Sequence, residues 1–337
     1  MAKLLLQTIR GERTPRRPLW IMRQAGRYLP EYRALRARHD FKELAASAEL
    51  AAEVTLMPMR RFPLDAAIVF ADIMSPLPAL GVELDFDPGP VVANPIRGEA
   101  DLARLRSPDP SEIAPEVMRA LSICRAELPE TTALLGFCGA PWTLAAYLVE
   151  GHGAKDFPTL RAFAASRPDL LDRLLSLLAS HMADYLRRQA AAGADAVQIF
   201  DSWAGVLSLR DWNALIRPHL AALLEAVGEA GVPRILFLQN APHLVEAYAS
   251  LPAEVLAVDW RVDLRELQAR NEARSVQGNI DPAVLTAGAA ATRRAASRLL
   301  AEVRPRGHIV NLGHGILPST PIESVEALVE AVHGERS

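Results

Sequence analysis

Residues 18–33 read PLWIMRQAGRYLPEYR, and the change of character inside them sets the pattern for the whole chain. Leu19 to Met22 form a short apolar run behind Pro18, which suits a buried strand, and the polar RQAGR loop leaves it abruptly. The same unit recurs along the chain. Residues 65–71 end on Asp72; residues 133–138 open into GAPW; residues 196–200 lead into Asp201-Ser202-Trp203. Residues 234–238, 255–258, 275–277 and 308–312 run into Gln239-Asn240, Asp259-Trp260, Gly278-Asn279 and Gly313-His314-Gly315. Helical spacing separates these runs, with Ser47 as the cap of a helix toward Arg60 and Arg61, Ser111 as the cap of another to about residue 127, and a long helix from Pro168 to Gly193. Further helices are expected over 211–230, 242–251, 264–271, 282–303 and 322–333. Eight β units alternating with helices, with no linker or composition break, predict one α/β domain over residues 1–337: a single (β/α)8 TIM-type barrel. Residues 73–97, rich in Pro and Gly, read as a hairpin insertion after the second strand, turning at Asp87-Pro88-Gly89. A doubly wound nucleotide-binding fold has no fingerprint here, because no G-x-G-x-x-G or Walker loop occurs.

Half of the 337 residues are apolar, enough for a large core, and the net charge of -3 excludes a generally basic protein. Nucleic acid is therefore not expected as a partner, and an anionic ligand must be met by local positive charge. The N-terminal region supplies it: Arg10, Arg13, Arg16, Arg17, Arg23, Arg27, Arg33, Arg36 and Arg38 crowd the first 38 residues, and only Arg23 and Arg27 read as placed rather than solvated. They lie four residues apart across Ala25 and Gly26, small residues that let a carboxylate reach both guanidiniums and the backbone N–H groups between them. The alternative is two surface charges on an irregular loop. Cys124 and Cys138 stand in no Cys-x-x-Cys or Cys/His spacing, so neither a disulfide framework nor a structural zinc is expected; the sequence predicts no metal. His181, on a leucine-rich helix, reads as a packed histidine. The opening MAKLLLQTIRGERTPRR has too short an apolar run for a secretory signal, and nothing approaches the ~20 apolar residues of a membrane span. A cytoplasmic protein without a membrane partner is the expectation.

The loop RQAGR within residues 18–33, together with RRFPLDAAIVFADI, GFCGAPWTLAAYLVEG, FDSWAG, VDW, VQGNIDP and NLGHGI, resembles the uroporphyrinogen decarboxylase family. These motifs span nearly the whole chain, and their joint occurrence is far more specific than any one of them. The resemblance implies the barrel independently of the alternation. It also implies decarboxylation of the four acetate arms of uroporphyrinogen III to give coproporphyrinogen III in porphyrin and haem synthesis, with no cofactor, by a homodimer. Carried over by motif, Arg23 and Arg27 would hold substrate carboxylates with help from the backbone of Gln24, Ala25 and Gly26. Asp72 would meet the pyrrole nitrogens, and Tyr147, Ser202 and His314 would line the rest of the site. Each has a duller reading: Asp72 and Ser202 as caps, Tyr147 as core. For His314 the flanking Gly313 and Gly315 favour close backbone approach to a ligand over packing. The proton donor stays open, since neither Tyr147 nor His314 is singled out.

The chain departs from the family pattern after the fifth strand, where Gln239-Asn240-Ala241-Pro242-His243 stands in place of a Gly-rich segment, a loop that could reshape one wall of the pocket. Two other readings remain. A zinc-dependent methyltransferase of the same superfamily would need the His-x-Cys pair that this chain lacks; a non-catalytic tetrapyrrole-binding barrel would need only the clamp.

Overall fold

The computed structural model describes residues 3–85 and 89–335. Among them the strands are β1 (Ala66–Ile68), β2 (Leu84–Asp85), β3 (Val91–Val92), β4 (Ala133–Gly139), β5 (Ala196–Asp201), β6 (Arg234–Leu238), β7 (Val255–Val258), β8 (Ser275–Ile280) and β9 (His308–Leu312). Seven of them make one parallel sheet in the order β1-β4-β5-β6-β7-β8-β9. Strands buried on both faces need apolar side chains at successive positions, which is why β4, β7 and β9 are buried throughout. The sheet is curled, consistent with a TIM-type barrel.

Residues 19–22, expected as a strand, are a buried extended segment that makes only an isolated parallel bridge, Leu19 to Val310. The reason is local. Ile21 N–H donates to Gln24 Oε1 at 3.0 Å and Met22 N–H to Asn311 Oδ1 at 2.9 Å, so side chains take the bonds that a ladder would need. The segment still connects the two edges of the sheet. Val310 N–H donates to Pro18 O on the β9 side (2.9 Å), and Asp65 N–H donates to Leu19 O on the β1 side (2.9 Å). Arg16 clamps this joint with two bonds to Asp65, 2.6 and 2.8 Å, while Leu19 N–H donates to the same carboxylate at 2.8 Å. Arg17 is buried, donating to Leu300 O and Val303 O at 2.8 and 2.6 Å. The expectation that only Arg23 and Arg27 are placed is thus too narrow, because Arg16 and Arg17 are built into the fold.

Inside the curled sheet, Gln277 Nε2 donates to Gln198 Oε1 and Trp20 Nε1 to Gln277 Oε1, each at 3.0 Å. Gln198 and Gln277 come from strands that do not pair, so the bond crosses the interior. On the same face as Gln198, Phe137, Phe200 and Phe237 stack edge-on across β4, β5 and β6 with centroids 5.6 and 5.7 Å apart. His181 is packed as expected, its Nε2 donating to Pro76 O at 2.8 Å. Cys124 and Cys138 are free and buried.

Several helices follow the sequence closely. Ser47 accepts from Leu50 N–H and caps Ala48–Arg61, and Ile322–His333 ends the fold. Ser111 does not cap as expected: it lies in the short turn Pro110–Glu112, and the next helix starts at Pro115 behind Ala114, whose φ is 43°. Proline suits that first helical position, and Ala114 makes the sharp entry. The stretch 282–303 breaks into Pro282–Thr286 and Ala289–Glu302 at Gly288, where φ is 94°. The stretch 211–230 begins as a wide π-type turn, Trp212–Ile216, before Arg217–Gly228. In the insertion, β2 and β3 pair antiparallel with Leu84 opposite Val92, while the turn expected at Asp87-Pro88-Gly89 falls largely on residues 86–88, outside the described residues.

Candidate active site

The polar residues that follow the strands meet at the C-terminal ends of the sheet. Arg23 leads the first loop with a left-handed backbone, φ 61°, which a non-glycine residue holds only when its surroundings enforce it. Gln24 enforces it. Its side chain is buried, donating to Ala66 O at 3.1 Å and accepting from Ile21, and its N–H is bonded to Ile21 O at 2.9 Å. The N–H groups of Ala25 and Gly26 have no partner among the described residues, so the loop's open donors lie there. The exposed guanidiniums of Arg23 and Arg27 likewise form no bond or ion pair with described residues. Their charges reach different places. Arg23 acts on Asp72, Tyr147 and His314, whereas Arg27 acts on Tyr32.

Asp72 follows β1 and does act as a cap: its Oδ1 accepts from Met74 N–H at 2.8 Å, and its own N–H donates to Ser75 Oγ at 3.1 Å. Its Oδ2 takes no bond from the described residues. Desolvation raises its pKa above the ordinary carboxylate value, opposed by the Met74 N–H and the Arg23 charge. A carboxylate so placed is under-solvated and gains most from a cation. Tyr147, half-buried on the helix Pro141–Glu150, meets Trp203 edge-on with centroids 6.4 Å apart, and desolvation raises its pKa. Ser202 does not cap the turn Ala204–Val206, whose first flanking residue is Trp203. Instead Ser202 N–H donates to Thr143 Oγ1 at 3.0 Å, and Thr143 donates to buried Asp201 at 2.9 Å. Asp201 also accepts from Tyr248 Oη, which in turn accepts from Trp212 Nε1 at 3.2 Å.

His314 lies 6.5 Å from the Phe237 ring, and desolvation, with the charges of Arg23 and Arg261, lowers its pKa to about 4. Its imidazole is neutral at neutral pH. The flanking glycines also make room for neighbours within the protein. A methyl at Gly315 would fall 2.3 Å from Arg23 Cδ, and one at Gly313 2.7 Å from Trp260 N. Ile316 N–H, just beyond, donates to Met22 O at 2.9 Å and stitches this loop to the Arg23 loop. Sequence reading missed Asp259 and Arg261 as neighbours of His314. Buried Asp259 accepts from Arg261 Nη1 at 2.8 Å and from Asn240 N–H at 2.6 Å. Their only sequence signal is the polar exit of β7. The unusual loop after β6 is held there, and it presses on Gly205, where a methyl would meet Asn240 O at 2.2 Å. Among the described residues, no group of three or more His, Cys, Asp or Glu is placed to hold a metal.

An unpaired guanidinium, open backbone N–H groups and one half-buried carboxylate at the strand ends of a curled parallel sheet define a barrel-type enzyme site for an anionic molecule. The family model described as uroporphyrinogen decarboxylase matches residues 1–335. A uroporphyrinogen decarboxylase of Thermus thermophilus is 45% identical, covering 98% of this chain and 97% of that protein. That of Carboxydothermus hydrogenoformans is 43% identical over 99% of this chain and 96% of its own. The chain belongs to the uroporphyrinogen decarboxylase family. Among solved structures, a methyltransferase from Methanosarcina mazei superposes with a TM-score of 0.85 at 20% identity, covering 99% of each chain, a likeness of fold.

Proposed function

We propose that this chain is a carboxy-lyase that converts the four acetate arms of uroporphyrinogen III to methyl groups, giving coproporphyrinogen III in porphyrin and haem synthesis without a cofactor. The observation that carries the reading is Asp72 at the strand ends, with one carboxylate oxygen taking no bond from the described residues and the Arg23 charge acting on it. Loss of CO2 from an acetate arm leaves an electron pair on the CH2 carbon, and a pyrrole can accept it. Protonation of the ring carbon beside the arm makes the ring cationic. The C–C bond electrons then move into the ring as CO2 leaves, giving an exocyclic methylene; protonation of that carbon and loss of the ring proton restore a pyrrole bearing a methyl group. One proton is consumed per CO2 released.

The residues divide the work. Asp72 accepts hydrogen bonds from the pyrrole N–H groups and stabilises the cationic ring. Arg23, Arg27 and the N–H groups of Ala25 and Gly26 hold the carboxylates of the arms. The aromatic rings of Phe137, Phe200 and Phe237 form an apolar floor that favours exclusion of water. Tyr147, Ser202 and His314 complete the wall, with neutral His314 adding no positive charge to compete with the ring.

The same reading includes an eighth β unit, residues 19–22, that closes the barrel, with β2 and β3 as a hairpin insertion. It also includes a cytoplasmic homodimer, favoured by the general symmetry of oligomers. No described helix is long and apolar enough to cross a membrane. Light scattering should give twice the 36.7 kDa chain mass, and a species of single-chain mass at micromolar concentration would remove the dimer. For the chemistry, purified protein is incubated with uroporphyrinogen under anaerobic reducing conditions, with and without exhaustive chelation. Coproporphyrinogen should form in both. Binding without turnover would overturn the enzyme, and turnover abolished by chelation would overturn the cofactor-free reading.

A further inference from the structure

The opposite end of the sheet holds a second cationic site, which the decarboxylation does not use. A cavity of about 410 Å³ opens where β8 and β9 begin, with Ser275, the first residue of β8, and Gly307, just before β9, in its lining. His314 and Asp72 lie beyond the other ends of their strands, so this cavity is remote from the candidate active site. Arg10, Arg274, Arg304 and Arg306 line it, against one lining carboxylate, Glu272.

Two of the four guanidiniums are compensated. Arg10 Nε pairs with Glu12 at 2.5 Å and Arg304 Nη1 with Glu272 at 3.1 Å. Arg306 and Arg274 have no carboxylate partner within salt-bridge distance among the described residues. Arg306 Nε donates to Gly11 O at 2.6 Å, and the guanidinium lies over Gly11. Arg274 is half-buried, and its Nη1 is buried with no acceptor. Burial holds its pKa below the usual guanidinium value. Nη1 is closed to a ligand as it is to water, and the Glu254 charge partly offsets the burial, so an oxyanion would be met by the part of Arg274 that lines the cavity and by Arg306, which no carboxylate pairs. The rigid fork of arginine also matches phosphate oxygens two at a time.

We propose that this cavity binds a small, multiply charged oxyanion of the phosphate class, with Arg274 and Arg306 as its main ligands and Arg10 and Arg304 at its sides. A neighbouring hollow shares Gly11 and Arg306 and adds Arg13, which gives a diphosphate room to extend.

The test uses pyrophosphate as the probe and the full chain throughout, followed by titration calorimetry at constant ionic strength. Wild type should bind saturably at one site here, and the Arg23→Ala/Arg27→Ala double variant should keep that binding. Arg306→Gln and Arg274→Gln should each weaken it about tenfold or more, the value of one charge-assisted hydrogen bond. Arg306 is exposed, so its replacement leaves the fold intact and keeps the test valid if Arg274→Gln fails to fold. Absence of saturable heat, or binding lost in Arg23→Ala/Arg27→Ala but kept in Arg306→Gln, would overturn the site. Neither result depends on turnover of a tetrapyrrole.

Discussion

At the scale of single residues, the proposed mechanism gives Asp72 and Arg27 two different kinds of electrostatic work. A pyrrole N–H offers Asp72 only a hydrogen bond until ring protonation adds positive charge, so its attraction grows in the transition state. Asp72→Asn keeps the shape and loses the charge. Its kcat should fall on the order of 10²-fold while KM changes little, and a defect confined to KM would sink the electrostatic role. Asp72→Glu keeps the charge but displaces it, and misplacement alone can cost about 10²-fold. In the proposed mechanism Arg27 would hold a ground-state carboxylate, so Arg27→Ala should raise KM by the equivalent of roughly 1.5 to 3 kcal/mol. Arg27→Lys should recover part of that, because a point charge lacks the fork. An unchanged KM in both would place Arg27 in solvent.

At the scale of an element, the segment before the first loop decides whether Arg23 is positioned at all. Pro18 to Trp20 touches both edges of the sheet, yet its ladder is thin, and the Asp65 carboxylate replaces the missing bonds by accepting from Arg16 and from Leu19 N–H. Both side chains are largely buried, with 22% and 11% exposure for Arg16 and Asp65. Removing one partner of such a pair leaves the other charge uncompensated. Asp65→Ala should therefore cost about 3 kcal/mol in urea unfolding, and kcat/KM should drop with it because the Arg23 loop hangs from this joint. Replacing both, Arg16→Met with Asp65→Leu, should recover only part of the stability, because the buried Leu19 N–H still lacks its acceptor. If the single variant unfolds at the wild-type midpoint, the joint is not what holds the loop.

Across the whole molecule, buried histidines couple the fold to pH. His308 Nε2 donates to Gly278 O at 3.0 Å, and desolvation with the nearby Arg17 charge lowers its pKa to about 3. It is neutral in the folded chain, while the unfolded chain takes up a proton as pH falls through about 6.5. Stability is thus fully present above about 6.5 and declines as pH falls toward 3, at up to about 1.4 kcal/mol per pH unit for this one group. His181, His314 and His333 are shifted the same way. Asp72 and Asp201, raised above the usual carboxylate value, oppose the trend only nearer their own range. Urea midpoints between pH 7 and 5 should fall more steeply for wild type than for His308→Gln. Parallel slopes would show that His308 does not contribute.

Alternation of apolar runs with helical spacing was enough to place the seven sheet strands, because a strand buried on both faces must be apolar along its length, and β6, β7 and β9 have the bounds that their sequences imply. The polar strand exits were equally legible, and so was the presence of Arg23, Asp72, Ser202 and His314 at one end of the sheet. Only the tertiary structure decided what those residues do to one another. The first apolar run became a bridge, since the side chains of Gln24, three residues on, and of Asn311, at the far end of the chain, took its hydrogen bonds. Gly313 and Gly315 proved to make room for Trp260 and Arg23, neighbours some tens to hundreds of positions away that no local pattern reveals. Arg16, Arg17, Asp259 and Arg261 look in sequence like any solvated charge. What distinguishes Arg16, Arg17 and Asp259 is burial and a partner far along the chain, and what distinguishes exposed Arg261 is the buried Asp259 it pairs with; these exist only once the sheet has curled.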